Sequence, residues 1–356
     1  MSDIDLLVKN TAEWLRAEGP DHDIVISSRI RIARNLQGFS YTPRLETREQ
    51  DEIIKRVQDI LTKTPSMKSA YFFLYADLTE LERQFLVERH LVSLEHAVEK
   101  GHKAVSMTPN QEISVMILEE DHLRMQAFQS GFNLKKAWHI IDQLDTEIER
   151  GGLDYAFDSR LGYLTACPTN AGTGLRASCM VHIPGLVLTK QINKILQALT
   201  KLNLATRGLY GEGTQAIGDY FQFSNQMTLG QNEEEIIDNL VSVIRQITDH
   251  EREARQHLLD KKKQKFEDPA WRALGILKSA RVISSTEATQ YLSLVQLGIN
   301  MGIMTSALSR EELHSLFLYI QPAHLQKMSG SVLNAQERDI LRAQVIREKL
   351  GKVSLS

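Results

Sequence analysis

Apolar positions recur along this chain with two different periods. Stretches rich in β-branched and aromatic residues predict strands over 23–32, 69–74, 112–118, 161–167, 178–183 and 219–224. A three-to-four-residue period predicts helices over 47–62, 134–149 and 189–204. Strands and helices alternate without the regular spacing of a doubly wound sheet, so the pattern reads as α+β. A long polar, helix-forming stretch, 233–260, then leads into Lys261-Lys262-Lys263-Gln264-Lys265, with Pro269 just beyond. After it almost every segment reads as helix: 271–280, 285–301, 310–320 and 335–350. The expectation is two domains, 1–260 and 261–356, the second small and α-helical. The lysine run serves as the boundary marker, and its ordinary reading is a solvated helix end with cations near the negative pole of the dipole.

Charge sharpens that division. The 356 residues carry 42 Lys+Arg against 45 Asp+Glu, a net of −3. This balance provides no general attraction to nucleic acid or an anionic membrane, and neither is expected as a partner. Residues 261–356 hold 14 Lys/Arg against 8 Asp/Glu, net +6, leaving −9 on residues 1–260. Any polyanion must therefore be met by a local cluster of cations. Cys167 and Cys179 are the two cysteines, too few for a disulfide framework or a four-cysteine zinc site. The acidic start Met1-Ser2-Asp3-Ile4-Asp5 and the lack of an apolar run near the roughly 20 residues of a bilayer span give a cytoplasmic expectation.

Four segments hold candidate chemistry. Ser27-Ser28-Arg29-Ile30-Arg31 reads as a strand, whose period of two puts Arg29 and Arg31 on one sheet face, solvated or functional. Glu119-Glu120-Asp121-His122-Leu123-Arg124 crowds three acids before an arginine, as suits a cationic ligand, a metal or an ordinary acidic loop. Cys167-Pro168-Thr169-Asn170-Ala171-Gly172-Thr173-Gly174-Leu175-Arg176 pairs two glycines with a cation, which suits an anion-binding loop or a plain turn between strands. It lacks the Gly-Lys-Ser/Thr of a Walker loop. Arg207-Gly208-Leu209-Tyr210-Gly211-Glu212-Gly213 reads as a mobile glycine-rich loop bearing one carboxylate.

In this order the four segments resemble the active site of the phosphagen (guanidino) kinases, over roughly residues 23–230. The resemblance is strongest to the bacterial branch that phosphorylates arginine side chains of proteins. That branch carries a C-terminal Arg-Asp-x-x-Arg-Ala motif, present here as Arg338-Asp339-Ile340-Leu341-Arg342-Ala343. The resemblance implies an antiparallel sheet flanked by helices, followed by the helical domain. It implies ATP, with Mg²⁺ accompanying the nucleotide and no all-protein metal site. Arg29, Arg31, Arg124, Arg176 and Arg207 match the phosphate-binding arginines; Ser27, Ser28, Ile30, Ala177 and Ser178 accompany them in the ATP site. His90 matches the histidine beside the base. Glu120 and Glu212 match the carboxylates that grip the substrate guanidinium, Cys167 the active-site thiolate, and Thr169 the hydroxyl supporting it. Cys179 matches nothing and reads as a small core residue. Arg338, Asp339, Arg342 and Ala343 match an allosteric phosphoarginine pocket.

The small-molecule members place a substrate-enclosing helical domain before the arginine strand. Arg29 lies too near the start of this sequence for one, so an open acceptor site for an accessible arginine on a protein is expected. The resemblance also implies a homodimer or higher oligomer, a proteolytic or chaperone machine as partner, and a role in marking clients. The competing readings are a phosphoarginine-reading adaptor with little catalysis and a kinase of small guanidines; a Cys167/His hydrolase ranks third. Glu120 is the expected base because it ends a strand, whereas Glu212 sits among glycines.

Overall fold

The computed structural model describes residues 3–98, 101–208, 217–304 and 309–350. Eight strands form one antiparallel sheet: β1 (Val25–Arg34), β2 (Tyr71–Leu74), β3 (Ala104–Met107), β4 (Ile113–Ile117), β5 (Leu123–Ser130), β8 (Leu175–His182), β9 (Leu204–Gly208) and β10 (Tyr220–Asn225). Their spatial order is β2-β3-β4-β5-β1-β8-β10-β9. The pair β6 (Phe157–Asp158) and β7 (Gly162–Tyr163) makes a separate small hairpin. The expected antiparallel sheet with flanking helices is thus the observed architecture.

The two faces of the sheet differ because the strands alternate. On β1, Ile30 and Ile32 point into the main core with Leu175, Ala177, Cys179 and Val181 of β8. Helices close that core. In α2 (Thr47–Leu61) the apolar period buries Ile53, Ile54, Val57 and Leu61, and the turn at its start is fixed by reciprocal side-chain bonds of Glu46 and Glu49. In α5 (Leu134–Arg150) the same period buries Leu134, Ala137, Ile141, Leu144 and Ile148. The other face bears Arg29, Arg31, Arg124 and Arg176. Farther along the strands this face becomes apolar, and Ile26, Phe128, Met180 and Tyr220 form a second core with the C-terminal helices.

The remaining helices are α1 (Asp3–Lys9), α3 (Glu80–Glu88), α4 (Leu94–Val98), α6 (Pro184–Leu188), α7 (Ile192–Lys201), α8 (Glu233–Ser279), α9 (Ser285–Asn300), α10 (Arg310–Tyr319), α11 (Pro322–Ser329) and α12 (Ala335–Leu350). Helix α8 runs unbroken through the lysine run and Pro269. No helix among the described residues is long and apolar enough to cross a membrane.

Three expected elements differ. The helix expected over 189–204 is shortened to α7, because the chain turns at Lys190 with φ 60° before it and residue 204 already opens β9. The helix expected over 271–280 is the end of α8 and not a separate element. The strand expected over 161–167 shrinks to two residues, and the rest of that segment is held by side-chain bonds instead. Strands β3, β5 and β9 escaped the pattern. β5 turns Arg124 and Gln126 toward the polar face and holds no β-branched residue, so it lacks the composition by which the other strands stand out.

Candidate active site

Arg124 from β5, Arg29 and Arg31 from β1, Arg176 from β8 and Arg207 from β9 all line one cavity of about 940 Å³. Arg31 stands directly opposite Arg176 in the register of β1 and β8. Like charges across a strand pair are destabilising unless an anion or a counter-charge joins them. The environment reflects this cost. Burial, then Arg124, Arg176 and Arg207, pull Arg29 down to about 9. Burial and the same kind of neighbours lower Arg31 well below its ordinary value. Burial, then Arg207 and Arg124, lower Arg176 to about 10. Neutral partners orient the guanidinium groups: Arg29 donates from Nη2 to Gln222 Oε1 at 3.1 Å and from Nε to Ser178 Oγ at 3.4 Å, and Arg176 donates to Ser224 Oγ at 3.4 Å.

Arg124 has a charged partner. It pairs with Glu119, which also accepts from Ser93 Oγ at 2.5 Å. Burial disfavours the Glu119 carboxylate, but Arg124 and Ser93 outweigh it and hold the group at about 2. The reciprocal effect raises Arg124 despite its burial. Glu120, the next residue, faces the same cavity from the loop between β4 and β5. Burial, Asp121 and Glu119 push its carboxyl up, which increases its affinity for a proton.

The cysteine segment lies beside Glu120. Asn170 Nδ2 donates to Glu120 Oε2 at 3.4 Å, and Cys167 Sγ is 2.9 Å from Thr169 Oγ1. Thr228 fixes the turn by donating to the carbonyls of Thr169 and Ala171 at 2.8 and 2.7 Å. The glycines have a backbone explanation. Gly174 has φ 64°, and a Cβ there would sit 2.6 Å from the Ala33 carbonyl oxygen.

His90 lines the cavity with φ 60° and its ring edge-on to Trp14. Burial and Arg29 lower its imidazole to about 3, so it is neutral. Ser28, Ile30 and Ala177 point away from the cleft: Ile30 and Ala177 lie in the core, and Ser28 Oγ bonds the Gly131 carbonyl at 2.9 Å. Ser27 is buried and does not line the cavity, while Ser178 reaches it through Arg29. Cys179 is wholly buried, and burial raises its thiol to about 12. Glu212 lies outside the described residues.

In the C-terminal motif, Arg338 donates to the Leu333 carbonyl at 2.8 Å. Arg342 is buried and donates to the Ile320 and Ile283 carbonyls at 2.7 and 2.9 Å, besides pairing with Asp339. Ala343 is buried beneath it. This motif is remote from the cavity arginines in the chain, and α11 packs against both α12, which bears the motif, and α3. Glu88, two residues before His90, accepts the backbone N–H groups of Ala323 and His324 at 2.7 and 2.9 Å.

Sequence reasoning missed Gln222, Ser93 and Asn170 as members of the site. They carry no charge and follow no spacing rule, and their placement comes from strand register and loop packing. The described residues contain no group of three or more His, Cys, Asp or Glu placed to hold a metal ion. Glu119 and Asp121 are already committed to Arg124 and to Asn35 with Ala166 N.

The arrangement suits phosphoryl transfer: clustered cations line the cavity, and the Glu120 carboxylate stands at its edge. Residues 52–254 match the family model described as ATP:guanido phosphotransferase, C-terminal catalytic domain. Residues 263–356 match the protein-arginine kinase McsB C-terminal domain. The chain is 48% identical over 351 residues to a protein-arginine kinase of Halothermothrix orenii, covering 99% of this chain and 100% of the relative. It is 46% identical to that of Halalkalibacterium halodurans, covering 95% of this chain and 94% of the relative. A solved lombricine kinase superposes with a TM-score of 0.57 at 27% identity, over 65% of this chain and 67% of that one. The chain belongs to the ATP:guanido phosphotransferase family, in its protein-arginine kinase branch.

Proposed function

We propose that this enzyme transfers the γ-phosphoryl group of ATP to the guanidinium of an arginine side chain in a protein. The observation that carries the reading is the convergence of five arginines from four strands on one cavity whose rim bears Glu120. Phosphoryl transfer spreads charge over the equatorial oxygens, so fixed cations and in-line positioning contribute most of the rate. Arg29, Arg31, Arg124, Arg176 and Arg207 hold the phosphates. Mg²⁺ bound with the nucleotide would offset phosphate charge alongside these arginines, a role that would need no protein cage.

On the acceptor side, an arginine guanidinium titrates above about 12 and becomes nucleophilic when it loses a proton. Glu120 accepts that proton as the N–P bond forms and the bond from γ-phosphorus to the bridging oxygen breaks, leaving ADP and phosphoarginine. Its raised carboxyl suits the task better than an unperturbed one. Cys167, backed by Thr169, and Glu212 orient the guanidinium. His90 packs beside the base. Arginine on a protein, rather than a free guanidine, is favoured by the similarity to protein-arginine kinases along nearly the whole chain. The C-terminal Arg338 and Arg342 read phosphoarginine and adjust activity, and modified clients pass to a proteolytic or chaperone machine.

The test is incubation with ATP and an unfolded arginine-rich protein, followed by mass spectrometry for acid-labile phosphate. Phosphate on arginine is expected. Modification confined to Ser, Thr or Tyr refutes the reading.

A further inference from the structure

We infer that Asn35 is a positioning residue for phosphoryl transfer, its side-chain amide setting the placement of Glu120 relative to the Cys167 loop. The inference rests on the assignment of those two residues to the acceptor guanidinium. Asn35 follows the last residue of β1 and is 2% exposed. Its Nδ2 donates to Asp121 Oδ1 at 2.6 Å and to the Leu164 carbonyl at 3.0 Å, and its Oδ1 accepts the His122 N–H at 2.9 Å. Asp121 Oδ1 in turn accepts the Ala166 N–H at 2.7 Å. The residue after Glu120 is therefore bonded to the residue before Cys167, and Asn35 grips both segments from the rigid strand beside them.

This arrangement matters because neither reactive side chain is fixed on its own account. Glu120 is exposed and meets Asn170 at 3.4 Å, while Cys167 is bonded to Thr169 of its own turn. Their separation is inherited from the backbones of 119–122 and 164–167. An Asn that merely ended a strand would need one bond of this kind. Here both donors and the acceptor are used, all on segments that flank the reacting groups, so the amide orientation is dictated by its partners. Burial raises the Asp121 carboxyl, and the bonds from Ala166 N and Asn35 oppose that rise. An acid in place of Asn35 removes both donors and sets a second carboxyl against Asp121.

The test uses the full-length enzyme with ATP and an arginine-bearing protein acceptor. For Asn35→Asp and Asn35→Ala, kcat/KM for the acceptor is expected to fall about 10- to 100-fold, the cost of displacing a reacting group by about an ångström. Nucleotide affinity should stay within about two-fold of wild type, because none of the cavity arginines bonds Asn35. Iodoacetamide modification of Cys167, followed against pH, should shift its profile in both variants; Cys179 is buried and does not interfere. If these variants fail to fold, Asn35→Ser, which keeps a hydroxyl donor, is put through the same measurements. An equal loss of nucleotide and acceptor binding, or unchanged acceptor kinetics and an unchanged Cys167 profile, overturns the inference. Glu120→Gln is measured in parallel. If it is inactive while the Asn35 variants match wild type, the positioning inference alone fails; if it is fully active, the acceptor assignment falls and the inference with it.

Discussion

Replacing Glu119 by Gln removes the carboxylate paired with Arg124 inside the arginine cavity, and its effect can be sized from the structure. A carboxyl held at about 2 instead of its ordinary 4.5 stabilises the folded state by about 3 kcal/mol at neutral pH. The folded-state value is depressed, so this stabilisation is complete above the ordinary carboxyl range and is lost as pH falls toward 2. Gln keeps the shape and loses the charge, leaving Arg124 among Arg29, Arg31 and Arg176 with no charged counterpart at its Nη1. Glu119→Gln should therefore unfold at lower urea, by an amount equivalent to about 3 kcal/mol at pH 7. ATP brings the missing negative charge to the same cations, so saturating nucleotide should stabilise the variant more than it does wild type. The assay is equilibrium urea unfolding with and without ATP for both proteins. A destabilisation that nucleotide relieves no more than in wild type would show that Glu119 acts by packing, and the electrostatic account would fail.

Arg176→Ala should have the opposite sign in the absence of nucleotide. Removing the cation opposite Arg31 is expected to raise stability by on the order of 1 kcal/mol while weakening ATP binding at least 10-fold, measured by thermal melts and nucleotide titration. Cys167→Ser should lower turnover about 10- to 100-fold with an unchanged melt, since Cys167 is partly exposed and carries little of the core. Burial holds the His314 imidazole at about 4, below its ordinary 6.5, with His22 and Arg310 adding to the effect. The folded chain then binds one proton fewer than the unfolded chain between those values, and stability falls as pH drops through that window; His314→Gln should reduce the slope of unfolding free energy against pH by about one proton there. Arg342→Ala should destabilise by about 2 to 4 kcal/mol in urea unfolding, because the Ile320 and Ile283 carbonyls lose their donor.

The elements with a clean period were legible. Helices over 47–62, 134–149, 285–301, 310–320 and 335–350 match observed helices within about two residues; α2 and α5 each bury one apolar stripe, while α9 and α10 are buried over most of their surface. Strands poor in β-branched and aromatic residues were harder. β5 alternates apolar Leu123, Met125 and Ala127 with polar Arg124 and Gln126, yet it holds one aromatic and no β-branched residue. The candidate site was readable where charge marks it: all five arginines reach one cavity, and Glu120 stands at its rim. Neutral members were not readable. Gln222 enters because β10 lies between β8 and β9 in a register no local pattern encodes, and Asn35 enters because a turn at the end of β1 meets two loops far away in sequence. The C-terminal motif was half legible. Its spacing puts Arg338 and Arg342 on adjoining turns of α12, yet Arg342 faces inward and spends its donors on backbone carbonyls.

That inward turn bears on how the two sequence units behave. Helix α8 carries the chain from one to the other without a break, and the face of the sheet beyond Arg29 is covered by Leu274, Leu277, Leu292 and Phe317 rather than by water. Polar groups also pair across the same boundary: His182 Nε2 lies 2.8 Å from Ser293 Oγ, Tyr220 donates to Gln296 Oε1 at 2.5 Å, and Glu88 caps the start of α11. A boundary that buries both apolar side chains and satisfied polar groups resists separation, since exposing it would leave each polar group to be resolvated and the apolar face open. The arginine cavity is built on strands whose far ends are pinned by the C-terminal helices. A group that binds Arg338 has to compete with the Leu333 carbonyl, and one that binds Arg342 has to displace Asp339. Ile320, whose carbonyl accepts from Arg342, stands two residues before the helix that Glu88 holds, and Glu88 stands two residues before His90. Contacts from the C-terminal motif toward the segment that bears His90 therefore run by way of α11: Arg342 donates to the Ile320 carbonyl just before that helix, and Glu88 accepts from its first N–H groups.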